Sequence, residues 1–195
     1  MKKTKLIVIG TSAGGLHALS IVLSGLRPDI DVPIVIVQHR APDSHDLAAV
    51  LQDSTTLVVE EAEDKVILQD GRVYIAPPDY HLLVSKGEIS LTTDAPVRFS
   101  RPSIDVLFES SAESYGTGLV AVVLTGANQD GSRGAVRVAA AGGRVIVQDP
   151  STAESPTMPA AAARSVKNAL VLPLERIAPA LTDLAARGIT TGIRK

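Results

Sequence analysis

The chain has 195 residues, of which 45% are hydrophobic and 21% charged, a balance that suits one globular domain and leaves little room for a second. A formal net charge of -2, with two phenylalanines, three tyrosines and no tryptophan, argues against a nucleic-acid partner. The absence of cysteine excludes a disulfide framework, a thiolate zinc site and a cysteine nucleophile.

The amino terminus places lysines ahead of apolar residues, as secretory signals do. Its apolar run, Leu6 to Ile9, is too short for the hydrophobic core of a signal peptide. No other stretch approaches the roughly 18 apolar residues that span a bilayer. We therefore expect a cytoplasmic protein without membrane insertion.

Short apolar runs that predict β-strands alternate along the chain with longer segments of helical periodicity. The predicted strands are Lys5–Ile9, Pro33–Gln38, Leu57–Glu60, Leu119–Thr125, Arg144–Gln148 and Ala169–Leu172. The predicted helices are Gly15–Leu26, Ser44–Gln52, Pro102–Tyr115, Ser132–Ala141, Met158–Ser165 and Leu174–Arg187. Several strands are apolar throughout, which is typical of strands covered on both faces. The pattern predicts a doubly wound α/β fold, with a mostly parallel sheet and helices on both faces.

One region interrupts this alternation. Arg72–Ala76, His81–Ser85 and Glu88–Thr92 predict three short strands, and Lys86-Gly87 predicts the tip of a hairpin. We interpret the region as a small antiparallel excursion at the edge of the sheet. Residues 1–195 are then expected to form a single domain.

The segment Gly10–Gly15 follows the first predicted strand and leads into the first helix. It matches G-x-S-x-G, a strained turn that exposes a nucleophilic serine, here Ser12. Backbone N–H groups of the following helix would face a developing oxyanion. A glycine-rich turn also binds phosphate, so a nucleotide-binding module is the alternative. Neither G-x-G-x-x-G spacing nor a Walker lysine supports that alternative.

A serine nucleophile requires a base within hydrogen-bond reach. His39 directly follows the second predicted strand, and functional groups of parallel α/β sheets collect at the carboxyl ends of strands. His17 falls within the first helix, His45 near the start of the second, and His81 at the start of a hairpin strand. We therefore predict that His39 pairs with Ser12.

The third member of a triad is a carboxylate that orients the imidazole. Asp130 lies after an apolar strand and before a predicted helix, where helix capping is its structural alternative. Asp149 is the second candidate, although the following proline suggests a turn. Asp43 and Asp46 lie near the histidine in sequence but have the positions of helix-start residues. We predict that Asp130 is the orienting residue.

No two of the four histidines have the spacing of metal ligands on a helix face or on paired strands. A metal hydrolase is therefore the least favoured class, and neither a metal nor a cofactor is expected.

Taken together, these motifs resemble the catalytic domain of chemotaxis protein-glutamate methylesterases, the CheB family. The matching segments are Ile9–Gly15, Val37–His39, Tyr74–Pro77, His81–Leu83, Arg101–Phe108, Leu124–Gly126, Asp130-Gly131, Gly142-Gly143, Gln148-Asp149, Met158-Pro159 and Val171–Leu174. Each alone is unspecific, but they follow the order of the family over nearly the whole chain.

The resemblance implies hydrolysis of γ-glutamyl methyl esters on the cytoplasmic helices of chemoreceptors, with release of methanol, and deamidation of particular receptor glutamines. Ser12 would be the nucleophile, His39 the general base and acid, and Asp130 the orienting carboxylate. A methyl-accepting chemotaxis receptor would be the protein partner.

Two departures from the family lie beside the expected oxyanion hole. Ala13 stands where many members have threonine, and Gly126-Ala127-Asn128 stands where Gly-Met-Gly is usual. We expect the change to Asn128 to constrain a backbone that glycine would leave free. A catalytically degenerate signalling scaffold is therefore a second alternative.

Members of the family usually carry a receiver domain ahead of the catalytic domain. The first catalytic strand begins here by Lys5, so we expect no receiver domain in this sequence. The chain is then either a catalytic fragment or a stand-alone member that a separate regulatory protein controls. Arginines flank the predicted site loops and could attract an acidic receptor helix. They are Arg40, Arg98, Arg101 and Arg133.

Overall fold

The computed structural model describes residues 3–41 and 47–186. In chain order its strands are β1 (Leu6–Thr11), β2 (Ile34–Gln38), β3 (Val58–Glu61), β4 (Arg72–Ile75), β5 (His81–Ser85), β6 (Glu88–Thr92), β7 (Leu119–Val123), β8 (Arg144–Gln148) and β9 (Leu170–Leu172). Its α-helices are α1 (Gly15–Ser24), α2 (Leu47–Gln52), α3 (Ile104–Tyr115), α4 (Ser132–Ala140), α5 (Thr157–Ser165) and α6 (Leu174–Ala186).

Seven of these strands form one sheet in the order β3-β4-β2-β1-β7-β8-β9, and every pair in it is parallel. The chain builds outward from β1 through β2 toward one edge, and then crosses to β7 on the other side of β1. The carboxyl ends of β1 and β7 therefore flank the point where the strand order reverses. Open α/β sheets bind their ligands at such a point.

Successive side chains of a strand point to opposite faces, so the sheet carries two apolar layers. Helices α1, α2 and α6 cover one face, while α3, α4, α5 and the β5–β6 hairpin cover the other. On β1, for example, Ile7 and Ile9 belong to the first layer, and Leu6 and Val8 to the second. The predicted doubly wound α/β fold is confirmed.

The prediction for Arg72–Ala76 is wrong. Strand β4 is not part of an antiparallel excursion, because it lies in the main sheet and pairs in parallel with β2 and β3. Its residues Val73, Tyr74 and Ile75 are all buried, as a strand covered on both faces requires. Among the described strands, only β5 and β6 form the antiparallel sheet, and Lys86-Gly87 joins them as predicted. This hairpin packs against α3 and forms a separate sheet.

The other predicted elements agree with the structure within a few residues at each end. The first three residues of the predicted helix Ser44–Gln52 lie outside the described residues, as does Arg187 at the end of the last predicted helix. In the described part of the chain, no helix combines the length and apolar character needed to cross a membrane.

Helices α3 and α4 approach each other closely at Gly134. A Cβ added there would lie 2.6 Å from the Cβ of Phe108 and 3.1 Å from the backbone oxygen of Asp105. Phe108 is fully buried and holds α3 against the sheet. Because α3 begins at the candidate site, this contact also fixes the position of the site loop.

We expect Gly134→Ala to lower the free energy of unfolding by about 1–3 kcal/mol, because the new methyl group overpacks the α3–α4 contact. The better helix propensity of alanine, worth roughly 1 kcal/mol, does not compensate. Urea denaturation would measure the difference. Val136→Ala, on an exposed position of the same helix, is the control and should change stability by less than about 0.5 kcal/mol. Equal stability of the Gly134→Ala protein and the wild type would contradict this account.

Candidate active site

Ser12 lies where β1 turns into α1. The turn places Gly14 at φ 76, in the left-handed region that glycine adopts without strain. The N–H of Ser12 donates to the carbonyl of Thr125 at 3.0 Å, and the N–H of Gly15 donates to the carbonyl of Ser12 at 2.8 Å. The serine is partly exposed, and its hydroxyl makes no hydrogen bond to any described residue. It is therefore available to a base and to a substrate.

The register of β1 and β2 brings His39 beside Ser12. Thr11 is the partner of Gln38 across the two strands, and the N–H of His39 donates to the carbonyl of Thr11 at 3.0 Å. The side-chain amide of Gln38 donates to the carbonyl of Ser12 at 2.9 Å and to that of His39 at 2.8 Å. These bonds tie the two turns together at adjacent strand ends.

His39 is hydrogen-bonded to Asp130, with 2.8 Å between Nε2 and Oδ2. The carboxylate of Asp130 is fully buried, whereas the imidazole retains 13% exposure. The structure therefore brings Ser12, His39 and Asp130 to one place at the carboxyl edge of the sheet, as their positions in sequence predict.

The carboxylate of Asp130 accepts four further hydrogen bonds of 2.7–3.0 Å. The donors are the hydroxyl of Ser103 and the backbone N–H groups of Ile104, Asp105 and Gly131. Burial works to raise the pKa of Asp130, but the hydrogen bonds from His39 and from the N–H groups at the start of α3 outweigh it and lower the pKa. The group is therefore ionised near neutral pH.

Asp130 does not cap the helix that follows it. The N-cap of α4 is Gly131, which makes no side-chain cap. Asp130 instead receives the first N–H groups of α3, whose helix dipole also favours a negative charge there. Sequence position alone suggested capping of the adjacent helix, whereas the carboxylate serves a helix about 26 residues earlier in the chain.

The tautomer of His39 follows from these contacts. An ionised carboxylate can only accept, so Nε2 of His39 carries the hydrogen and Nδ1 keeps a lone pair in the neutral ring. Nδ1 lies 3.2 Å from the side-chain amide nitrogen of Asn128. Nδ1 is thus the atom that can act as a base.

The sequence did not predict a side-chain role for Asn128. Asn128 is not among the described non-glycine residues with positive φ, so its backbone avoids the region that favours glycine. What replaces the usual glycine is a side chain in direct contact with the imidazole. A polar residue beside a predicted triad is a signal that could have indicated such a contact.

His81 is buried next to the loop that precedes α3 and helps to position that loop. Nδ1 of His81 accepts the N–H of Ser103 at 3.2 Å, and its Nε2 lies 3.2 Å from the carbonyl of Ala95. Ser103 in turn donates its hydroxyl to Asp130. His81 therefore fixes the loop before α3, and neither of its hydrogen bonds involves His39.

The remaining candidates lie elsewhere. His17 is exposed on α1, and His45, Asp43 and Asp46 lie outside the described residues. Asp149 accepts the N–H and the hydroxyl of the residue two positions ahead, and these hydrogen bonds lower the pKa of Asp149. It is a turn residue, as its neighbouring proline suggested. The described residues contain no group of histidine and carboxylate side chains that could hold a metal ion.

Two backbone N–H groups next to Ser12 have no hydrogen-bond partner among the described residues. The N–H groups of Ala13 and Gly14 precede α1 and make no hydrogen bond within residues 3–41 and 47–186. Donors at a helix start can stabilise a developing negative charge.

Two pockets flank His39 and share an exposed phenylalanine, Phe99. A pocket of about 240 Å³ is lined by His39, Arg40 and Arg101. Another, of about 420 Å³, is lined by Asn128 and Thr157. The first pocket is lined by the imidazole of His39 itself, whereas the second is lined by Asn128, which contacts that imidazole.

Arg40 is the most deeply buried arginine at this site, with a side chain only 5% exposed. Its Nη2 donates to Glu61 and to the carbonyl of Ala76. Its Nε and Nη1 are buried and have no hydrogen-bond partner among the described residues. Arg101, in contrast, is paired with Asp79 at 2.6 Å. The sequence indicated basic residues here but not that one of them is buried.

Comparisons with known proteins agree on one family. The family model of the CheB methylesterases matches residues 7–181. A protein of Leptospira interrogans, provisionally named protein-glutamate methylesterase/protein-glutamine glutaminase, is 45% identical over 174 residues, which are 88% of this chain and 90% of the relative. Protein-glutamate methylesterases/protein-glutamine glutaminases of Nitrobacter hamburgensis and Paramagnetospirillum magneticum are 38% and 40% identical over 92% and 93% of this chain. This chain spans about half, 49%, of the length of those two relatives.

The structure supports the same assignment. The crystal structure of the Thermotoga maritima CheB methylesterase catalytic domain superposes with a TM-score of 0.88 at 35% sequence identity. The match covers 93% of this chain and 99% of that domain. The chain belongs to the CheB methylesterase family.

Proposed function

We propose that this chain is a serine hydrolase that demethylates γ-glutamyl methyl esters, and deamidates glutamines, on the cytoplasmic helices of a chemoreceptor. The hydrogen bond between His39 and the buried Asp130, beside the turn that carries Ser12, supports the proposal most directly. The printed names of the relatives, protein-glutamate methylesterase and protein-glutamine glutaminase, support the same two reactions. With such a substrate the enzyme acts in the cytoplasm.

The first half-reaction forms an ester between Ser12 and the receptor glutamate. The hydroxyl oxygen of Ser12 attacks the ester carbonyl carbon while its proton passes to Nδ1 of His39. The N–H groups of Ala13 and Gly14 would stabilise the negative oxygen of the tetrahedral intermediate. The imidazolium then gives its proton to the departing methoxide, and methanol leaves.

The second half-reaction releases the glutamate. Nδ1 of His39 takes a proton from water, which attacks the ester on Ser12, and the serine oxygen leaves with that proton. In a glutamine substrate, ammonia takes the place of methanol in the first half-reaction. Throughout, Nε2–H of His39 stays hydrogen-bonded to the ionised Asp130, which stabilises the imidazolium without becoming protonated.

A phosphate-binding module is less well supported. Such a turn needs several free backbone N–H groups, but only those of Ala13 and Gly14 are free here, because those of Ser12 and Gly15 are bonded to the carbonyls of Thr125 and Ser12. Nor would phosphate binding explain a fully buried carboxylate behind His39. Nucleotide affinity without hydrolysis would favour that module.

The buried Arg40 suits a negatively charged substrate surface. Two of its guanidinium nitrogens lack partners beside His39, and an unpaired buried donor is costly until it meets an acceptor. Arg40 also lines the pocket of about 240 Å³ beside His39, and a carboxylate next to the scissile ester would pair with its guanidinium from that side. We therefore propose an acidic receptor helix as the partner. We also propose that residues 1–195 form one catalytic domain.

Ser12→Ala should reduce methanol release from a methylated chemoreceptor cytoplasmic fragment to background. Removing a triad nucleophile costs up to about 10⁶ in kcat. Methanol would be measured for the wild type, Ser12→Ala and Ser24→Ala. The last changes an exposed serine at the far end of α1 and should leave release unchanged. Undiminished release by a folded Ser12→Ala protein would disprove the nucleophile assignment.

Asp130→Asn should lower kcat by roughly 10⁴, because asparagine cannot hold His39 in the same tautomer. Its control is Asp149→Asn, which alters a turn aspartate and should retain activity. Greater damage from the control would reverse the choice of carboxylate.

Asp130→Asn should also change how the free energy of unfolding depends on pH. The pKa of Asp130 is lower in the folded protein, so its stabilising contribution is present above about pH 4 and is lost as pH falls through the lowered value. We expect acid titration of wild-type unfolding to show this loss, and that of Asp130→Asn to lack it.

Arg40→Gln should weaken hydrolysis of glutamyl methyl ester peptides that carry neighbouring glutamates by roughly tenfold, through loss of a charged hydrogen bond. Peptides with neighbouring glutamines should be affected little. kcat/KM for the two peptides would be compared with Arg40→Lys, which keeps the charge, and Arg133→Gln, an exposed arginine paired with Glu109. Equal loss on both peptides would mean that Arg40 serves the fold and not substrate charge.

A further inference from the structure

We propose that Asn128 caps the catalytic base in the resting enzyme, and that a bound substrate must draw its side-chain amide away before Ser12 is activated. The inference deepens the proposed function and rests on the assignment of His39 as base. It makes Asn128 a positioning residue, since it would act through His39.

The orientation of the Asn128 amide is fixed by a second contact. Its Oδ1 accepts the backbone N–H of Asp130 at 3.0 Å. The group that faces Nδ1 of His39 at 3.2 Å is therefore the NH₂ group, a donor with no acceptor capacity. Since Nε2 of His39 donates to Asp130, the contact with Asn128 must be an N–H donating to Nδ1.

A neutral imidazole has a single lone pair in the plane of its ring. The N–H of Asn128 donates to that lone pair. Ser12 needs the same lone pair as the acceptor of its hydroxyl proton. The serine hydroxyl correspondingly has no hydrogen-bond partner among the residues that the structure describes. In this arrangement the nucleophile and the base are adjacent but not coupled.

The cap also opposes the charge that forms during catalysis. Once His39 takes the serine proton, Nδ1–H would face the NH₂ group of Asn128, and two donors in contact repel each other. Catalysis requires Asn128 to leave, and its departure must be driven by a better partner.

The surroundings of Asn128 allow such a movement. The residue is only partly buried and lines the pocket of about 420 Å³ together with Phe99 and Thr157. A substrate that enters this pocket brings ester and peptide carbonyls, and a carbonyl oxygen accepts the same N–H that Nδ1 accepts. Transfer of the amide from His39 to the substrate would free the base only when substrate is present.

The test uses an alkyl fluorophosphonate, which reports on Ser12 without requiring the receptor. The serine oxygen forms a bond to phosphorus, the phosphorus–fluorine bond breaks, fluoride leaves, and the serine proton passes to Nδ1 of His39. The labelling rate would be measured from pH 5 to 10 for the wild type, Asn128→Ala, Asn128→Asp and Gln129→Ala. The last removes an exposed neighbouring amide and serves as the matched control.

Asn128→Ala should raise the plateau labelling rate roughly 3- to 10-fold, the value of one hydrogen bond, and move the rate–pH profile to higher pH. Asn128→Asp keeps an acceptor for the N–H of Asp130 but places a carboxylate against the ring. It should slow labelling at neutral pH and move the profile further upward. The control should match the wild type. A role confined to the turn would leave the profile of Asn128→Ala unshifted.

The outcomes separate the cap from the proposed function. Rates and profiles of Asn128→Ala that equal those of the wild type would overturn the cap. Labelling of Ser12 in none of the proteins would overturn both the cap and the nucleophile. The expected labelling pattern without methanol release would keep the cap and reject only the methyl ester substrate.

Discussion

The buried carboxylate of Asp130 is the group around which the candidate site is arranged. It accepts five hydrogen bonds, from His39, from the hydroxyl of Ser103, and from three backbone N–H groups. A charged carboxylate that is buried away from water is tolerated only when its oxygen atoms accept hydrogen bonds in this way. The same bonds hold the start of α3 against the loop after β7, so the fold and the orientation of the imidazole depend on one group.

The main sheet fixes the relative positions of Ser12 and His39. Ser12 and His39 follow neighbouring strands in fixed register, and the amide of Gln38 bonds to the carbonyls of both. Close packing at this edge leaves no room for larger residues, since a Cβ on Gly10 would lie 2.2 Å from Ile104. The positions of the reacting groups are therefore set by backbone packing and not by flexible loops, which is what preorganised catalysis requires.

Sequence reasoning succeeded where the placement of residues follows from local pattern. Apolar runs predicted the strands, and strand ends predicted Ser12, His39 and Asp130, because parallel strands bring their carboxyl ends to one edge. It failed for Arg72–Ala76, since a short run beside a hairpin does not reveal which sheet it joins. The burial of Arg40 and the contact of Asn128 with His39 depend on residues distant in sequence, and no periodicity encodes them.

Arg40 and Asn128 are two polar residues beside His39 whose hydrogen bonding a substrate would change. Arg40 has buried nitrogens without acceptors, and Asn128 uses the lone pair that Ser12 needs. An acidic segment with a glutamyl ester would satisfy both, its carboxylate at the arginine and a carbonyl at the asparagine amide. A small neutral ester would satisfy neither completely. Activation and charge recognition would then be one event, because the ligand that fits Arg40 also carries the carbonyl that frees the base.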